Sequence, residues 1–147
     1  MSLVNSNSIV VVPWDFSDHS RSALDKALEL TQDASQIRVV HVARMPMLVG
    51  PGMLASSTDE DALKKNSESR FRECVANDPL CEKISFTTLI NDEQGHTICD
   101  FARDHDADLI VISSHGRTGI ARLAIGSVAE RIIRHASCPV LVLRSRS

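Results

Sequence analysis

The feature that most constrains the fold is a series of short, unbroken apolar runs rich in β-branched residues, separated by stretches with helical spacing. Ile9-Val10-Val11-Val12, closed by Pro13, is the first of these runs, and Leu109-Ile110-Val111-Ile112 is the plainest. A run with no polar alternation has no face suited to water, so it fits a strand covered on both sides by helices. Ile37–Val42 reads as a second strand with Arg38 and His41 among its apolar residues, and Val140–Leu143 repeats the unbroken run after Pro139. Ile84–Ile90 is less apolar, because Ser85, Thr87 and Thr88 interrupt it, and this predicts a place toward the sheet edge.

The intervening stretches read as helices. Ser17 or Asp18 can cap one whose Ala23, Leu24, Ala27 and Leu28 recur at helical spacing, with Asp33–Ser35 as its exit. Asp59–Ala76 predicts a polar helix with Leu63, Phe71, Cys74 and Val75 turned inward, and Asn77-Asp78-Pro79 ends it. Gln94–His105 packs through Ile98, Phe101 and Ala102, while Val128, Ile132 and Ile133 mark a last helix ending near Arg134 and His135. Five strands alternating with four helices require parallel strands and right-handed crossovers. The expected architecture is therefore α/β, an open doubly wound, five-stranded parallel sheet with helices on both faces. A length of 147 residues gives it one domain, 1–147.

Such a sheet predicts where ligands bind: beyond the carboxyl ends of the strands, at the point where strand order reverses. Pro13–Ser17, His41–Met45 and Ser113–Ser127 are the segments that leave strands at that edge. Other classes fall away on composition. No apolar run approaches the ~20 residues that span a bilayer, so no membrane partner is expected. With no Tyr and 3% aromatics, a nucleic-acid surface that stacks bases is not expected either. Cys74, Cys81, Cys99 and Cys138 have neither zinc nor C-x-x-C spacing, and no signal peptide precedes them, which predicts reduced thiols in a cytoplasmic protein.

The net charge of −3 hides a division. Residues 1–114 hold 10 Lys+Arg against 18 Asp+Glu, whereas residues 115–147 hold 6 Arg and 1 Glu. Within that basic block, the segment from Ser113 to Ser127 carries Gly116, Arg117, Gly119, Arg122 and Gly126 ahead of a helix. Glycine permits close backbone approach or positive φ, and a helix start offers unpaired N–H groups and the positive end of a dipole, which suits phosphate. The competing reading is structural: Ser127-Val128-Ala129-Glu130 fits a capping box that needs no ligand. A P-loop is excluded because no Lys precedes Ser127, and no G-x-G-x-x-G follows the first strand.

Val12-Pro13-Trp14-Asp15-Phe16-Ser17, His41-Val42, Asp108 through Gly119, Gly126-Ser127 and Cys138-Pro139-Val140-Leu141-Val142 together resemble the universal stress protein family, in order over nearly the whole chain. The resemblance implies a Rossmann-like, usually dimeric fold, of which one branch binds ATP through G-x2-G-x9-G-(S/T) and another binds no nucleotide. Gly116 matches the second glycine, Arg117–Ile125 the nine-residue spacer, and Gly126-Ser127 the close. Ser113 stands where the motif has its first glycine and adds a Cβ and a hydroxyl there. By the same resemblance Asp15 and Val42 meet adenine, Pro13 lies beside the ribose, and Gly116, Gly126, Ser127 and Val128 address the phosphates. Mg²⁺ would be carried by the nucleotide itself.

Three readings follow. The first is a stress protein that binds ATP as a ligand or regulatory switch. The second is a non-nucleotide interaction module of the same fold, and the third a slow ATPase or phosphotransfer protein with His115 or Ser127 at the phosphates. Local alternatives stand beside the ligand roles: Asp15 as a turn cap, Val42 as a core strand residue, and His41 and His115 as hydrogen-bonded loop histidines. Val140–Leu143, with four residues after it, could pair with its counterpart in a homodimer or be covered by its own chain.

Overall fold

The computed structural model describes residues 3–45, 60–115 and 125–144. The strands are β1 (Val10–Pro13), β2 (Ile37–Ala43), β3 (Ser85–Ile90), β4 (Leu109–Ser113) and β5 (Val140–Leu143). They alternate with α1 (Asp18–Leu30), α2 (Glu60–Cys74), α3 (Gln94–Asp104) and α4 (Ser127–His135), and short 3-10 turns at Ala34–Gln36 and Pro79–Lys83 precede β2 and β3. All strands are parallel, in the order β3-β2-β1-β4-β5. This is the doubly wound sheet that the alternation requires, with order reversing between β1 and β4.

Period-two alternation sends neighbouring residues of each strand to opposite faces. On one face Val10, Val12, Ile37, Val39, Leu109 and Val111 pack with Ala23, Leu24 and Ala27 of α1 and Phe71 of α2. On the other, Val11, Val40, Val42, Ile110 and Ile112 pack with Ile98, Phe101 and Ala102 of α3 and Ala129 and Ile132 of α4. Val10, Val11 and Val12 are wholly buried, which explains the absence of a polar residue among them. The polar β3 does lie at one edge, as its threonines predict.

Two expectations change. Cys74 is exposed rather than inward, because the buried stripe of α2 runs through Ser67 and Phe71 and continues to Val75, and Cys74 lies off it. Leu63 is only half-buried. Asp33 does not simply end α1: it caps the turn Ala34–Gln36 in a reciprocal box with Gln36, whose Nε2 also donates to Asn5 and Ser8 carbonyls.

Candidate functional site

The cleft begins where β1 and β4 part. Their pairing is limited to Val10↔Leu109 and Val11↔Ile110, whereas β1 and β2 remain paired through Pro13↔Val40. Peptide groups alternate along a strand. Ile9 O accepts from Asp108 N at 2.8 Å and Val40 O from Trp14 N at 2.8 Å, so Ile9, Val11 and Pro13 face β4 while Val12 and Trp14 face β2. Pro13 has no N–H to offer on the β4 side, and the ladder stops there. The strands separate into a cleft of about 320 Å³ at the sheet's carboxyl edge.

Pro13, Trp14, Asp15 and Ser17 form one wall, Val40, His41 and Val42 a second, and Ser113, Ser114 and His115 a third. Gly126, Ser127, Val128 and Ala129 close the far end, with Gln94 and Ile98 of α3 alongside. Seven of the residues expected at a ligand thus line one cavity: Pro13, Asp15, Val42, Ser113, Gly126, Ser127 and Val128. The eighth, Gly116, lies outside the described residues, as do Arg117 and Arg122.

Asp15 does serve its turn. Its Oδ1 accepts from Ser17 N at 3.0 Å and from the Ser17 hydroxyl, and the Ser17 Oγ in turn accepts from Ser20 N at 3.2 Å to cap α1. The turn forces Phe16 to φ 64°, left-handed backbone costing a bulky residue about 1–2 kcal/mol. Ring contacts hold Phe16 there: Trp14 lies at 6.0 Å, His41 at 4.9 Å, and the Arg70 guanidinium at 4.1 Å above the ring. His41 Nδ1 lies 2.8 Å from Trp14 O, and because a carbonyl only accepts, that nitrogen carries the proton. His41 is thereby a fixed wall of the turn.

Val42 holds the most informative position. Val40 O faces β1 and Ala43 O faces β3, where it accepts from Asn91 N at 3.0 Å. Alternation therefore turns the N–H and C=O of Val42 toward the β1 side, beyond the last β1–β2 register pair. These groups meet the cleft instead of a strand. Gln94 Nε2 donates to the Val42 carbonyl at 3.0 Å across the opening.

At the other end the expected capping box does not form. Gly126, not Ser127, occupies the cap position, and no side chain caps the helix. Gly126 N donates to Ser114 O at 2.7 Å, tying the start of α4 to the end of β4 and placing Ser127 in the first helical turn. Glu130 turns along the helix to Arg134, at 2.9 Å, instead of back toward Ser127. The first N–H groups of α4 consequently face the cleft with no side-chain acceptor from the cap. Gly126 has φ −64°, so it is not needed for a left-handed turn.

The positive charge of the C-terminal segment is partly committed elsewhere: Arg131, which lies before the last turn of α4, pairs with Glu93 at 3.2 Å, and Arg134 with Glu130. Among the described lining residues Asp15 is the sole carboxylate, and none is a cysteine. Burial raises the thiols of Cys99, Cys138 and Cys81, the last to about 11. Trp14, Ser20 and Gln94 are lining residues with no site signal of their own in the sequence. Trp14 sits inside the motif between Pro13 and Asp15, and Gln94 reads as a polar helix start until the sheet brings it to Val42.

The open, doubly wound α/β sheet with a cleft at its switch point defines the fold class. A family model places the chain within that class: the Universal stress protein family matches residues 7–144, and the chain belongs to this family. A universal stress protein of Methanocaldococcus jannaschii is 29% identical over 92% of this chain and 81% of its own length. Among solved structures, universal stress protein UspA from Lactobacillus plantarum is similar with a TM-score of 0.70 at 24% identity, covering 96% of this chain and 100% of that one. A universal stress protein in complex with cAMP has a TM-score of 0.67 at 21% identity, covering 97% and 100%. One from Archaeoglobus fulgidus in complex with dAMP has 0.58 at 24%, covering 94% and 98%. Among the described residues no helix is long and apolar enough to cross a membrane.

Proposed function

We propose that this protein binds an adenine nucleotide, ATP with its Mg²⁺, in the cleft between β1 and β4, and that occupancy acts as a ligand-controlled switch in a stress response. The observation that carries the reading is the pairing of two unlike ends in one cavity. The peptide edge of Val42 offers one donor and one acceptor side by side, the pattern that meets a ring nitrogen next to an exocyclic amine. The uncapped start of α4 offers N–H groups suited to phosphate. Two neighbours of this fold solved with cAMP and dAMP, both adenine nucleotides, support the choice of base.

In this reading Val42 and Asp15 take the base, Pro13 lies beside the ribose, and Ser113, Gly126, Ser127 and Val128 address the phosphates, with Gly116 joining them by its motif position. Asp15 is already held by Ser17, so Mg²⁺ is carried by nucleotide oxygens and water. The Ser113 hydroxyl adds a donor where the motif has glycine. Gly126→Val tests the placement, because φ −64° is open to valine. Wild type should gain thermal stability at millimolar ATP and the variant should not. A variant stabilised as strongly as wild type would overturn this placement of the phosphates.

A homodimer through β5 accompanies this function. Ser114 N donates to Leu143 O and Ile110 N to Pro139 O, so Val140 and Val142 turn their peptide groups to the edge away from β4. Val140–Leu143 is half-buried along its length, and a second copy would pair that edge. The unpaired thiols fit a reducing compartment, and we place the protein in the cytoplasm.

A further inference from the structure

Gln94 opens α3 as a half-buried residue whose side chain crosses to a strand 52 positions away in sequence, donating from Nε2 to the Val42 carbonyl at 3.0 Å. It also lines the cleft beside Val42. We propose that Gln94 is a specificity-determining residue at the base end of the cleft, locked by Val42 so that its amide oxygen accepts from an exocyclic amine and disfavours 6-oxo purines. This inference rests on the nucleotide reading given above.

The lock follows from donor and acceptor inventories. A carbonyl oxygen accepts only, so the limb of the Gln94 amide against Val42 O must be the NH₂. The Oε1 is then directed along the other limb of the same planar group. Among the described residues no donor reaches it.

The base end therefore offers a donor from Val42 N–H and acceptors from Gln94 Oε1 and the second lone pair of Val42 O. A 6-amino purine presents the complement, an accepting ring nitrogen beside a donating amine. A 6-oxo purine reverses both groups, placing N–H against N–H and oxygen against oxygen. For Gln94 to accommodate it, the amide would have to flip, and its oxygen would then meet the Val42 carbonyl. Two acceptors in contact lose the 3.0 Å bond and gain repulsion. A site built around a hydrogen bond in this manner rejects the analogue that cannot make it. Glu93, the preceding residue, is drawn to Arg131 at 3.2 Å and does not compete for the base.

The test is calorimetric titration of the full chain with ATP and with ITP, which differ only at position 6 of the base, each with Mg²⁺. Wild type should bind ATP about tenfold or more tightly than ITP. Gln94→Met keeps length and helix propensity but removes both hydrogen-bonding atoms, and should lower the ATP:ITP ratio by about threefold or more, leaving the part supplied by the Val42 N–H and C=O. The ATP:ITP ratio is the readout, because a purely structural role would weaken both ligands alike. Thermal unfolding establishes that the titrated variant is folded, and Gln94→Ala gives an independent measure of the same ratio. Equal affinities in wild type, or a ratio that both substitutions leave unchanged, would overturn the role of Gln94 while leaving nucleotide binding intact. A wild type that binds neither nucleotide would overturn the functional reading itself and this inference with it.

Discussion

Gly95→Ala is the substitution whose effect the structure specifies most closely. Gly95 is buried one residue into α3, and a Cβ built on it would lie 2.7 Å from Arg131 Cβ, 2.9 Å from its Cγ and 3.1 Å from its Cδ in α4. Carbon atoms rest at about 3.5–4.0 Å, so α3 and α4 must separate by roughly 1 Å to admit the methyl group. The first obstacle is a Cβ, which moves only with its helix. Overpacking of this kind costs about 1–3 kcal/mol, and the better helix propensity of alanine returns about 0.5–1. The net loss lies between about 0 and 2.5 kcal/mol and is centred on about 1, equivalent to a fall in Tm of about 2–4 °C for a chain of this size. Thermal and urea unfolding would measure it. Arg131→Gly combined with Gly95→Ala removes all three contacting atoms, and a double-mutant cycle should show favourable coupling of about 1 kcal/mol. A Gly95→Ala protein as stable as wild type, with no coupling to Arg131 in the cycle, would refute the close approach of α3 and α4, the helices that line the cleft.

Further expectations concern separate regions. Val142→Pro removes an N–H from the outward edge of β5 without touching the bonds to β4, and should convert the proposed dimer to monomer by light scattering; an unchanged mass would show that this edge is not the interface. Cys74 is exposed, whereas Cys81 is buried and its thiol is raised to about 11 by burial and by Asp78, so maleimide at about pH 7.5 should label Cys74 first and Cys81 only on unfolding. Asp33 is held down to about 2 by its bonds to Ser35 and by Lys83. A carboxylate with a depressed folded value stabilises fully above its unfolded value, near 3.8, and the contribution is lost as pH falls toward 2; Asp33→Asn should flatten acid unfolding in that interval.

The strands and helices were legible because their signals are local. Val10–Val12 and Leu109–Ile112 have no polar face, Ser17 sits where a cap must be, and the threonines of β3 announce an edge. The position of the cleft was legible too, since it follows from topology. What escaped depends on contacts between distant segments. Ser127 and Glu130 have capping-box spacing, yet Gly126 takes the cap position because Ser114, from the end of another strand, accepts its N–H. Cys74 has nearly the right helical phase to face inward, and the crossing of α2 over the sheet favours Phe71 and Val75 instead. Gln94 carries no local sign of its role. Only the sheet order brings it to the carbonyl of Val42, past the point where Pro13 ends the β1–β4 ladder.

The central claim is that the cleft between Val42 and the start of α4 is a nucleotide site. Isothermal titration of the purified full chain with ATP and Mg²⁺ tests it most directly. Saturable heat with one nucleotide bound per chain, lost in Gly126→Val, is the expected result. No heat in the wild type at millimolar ATP, with no accompanying rise in Tm, would contradict it.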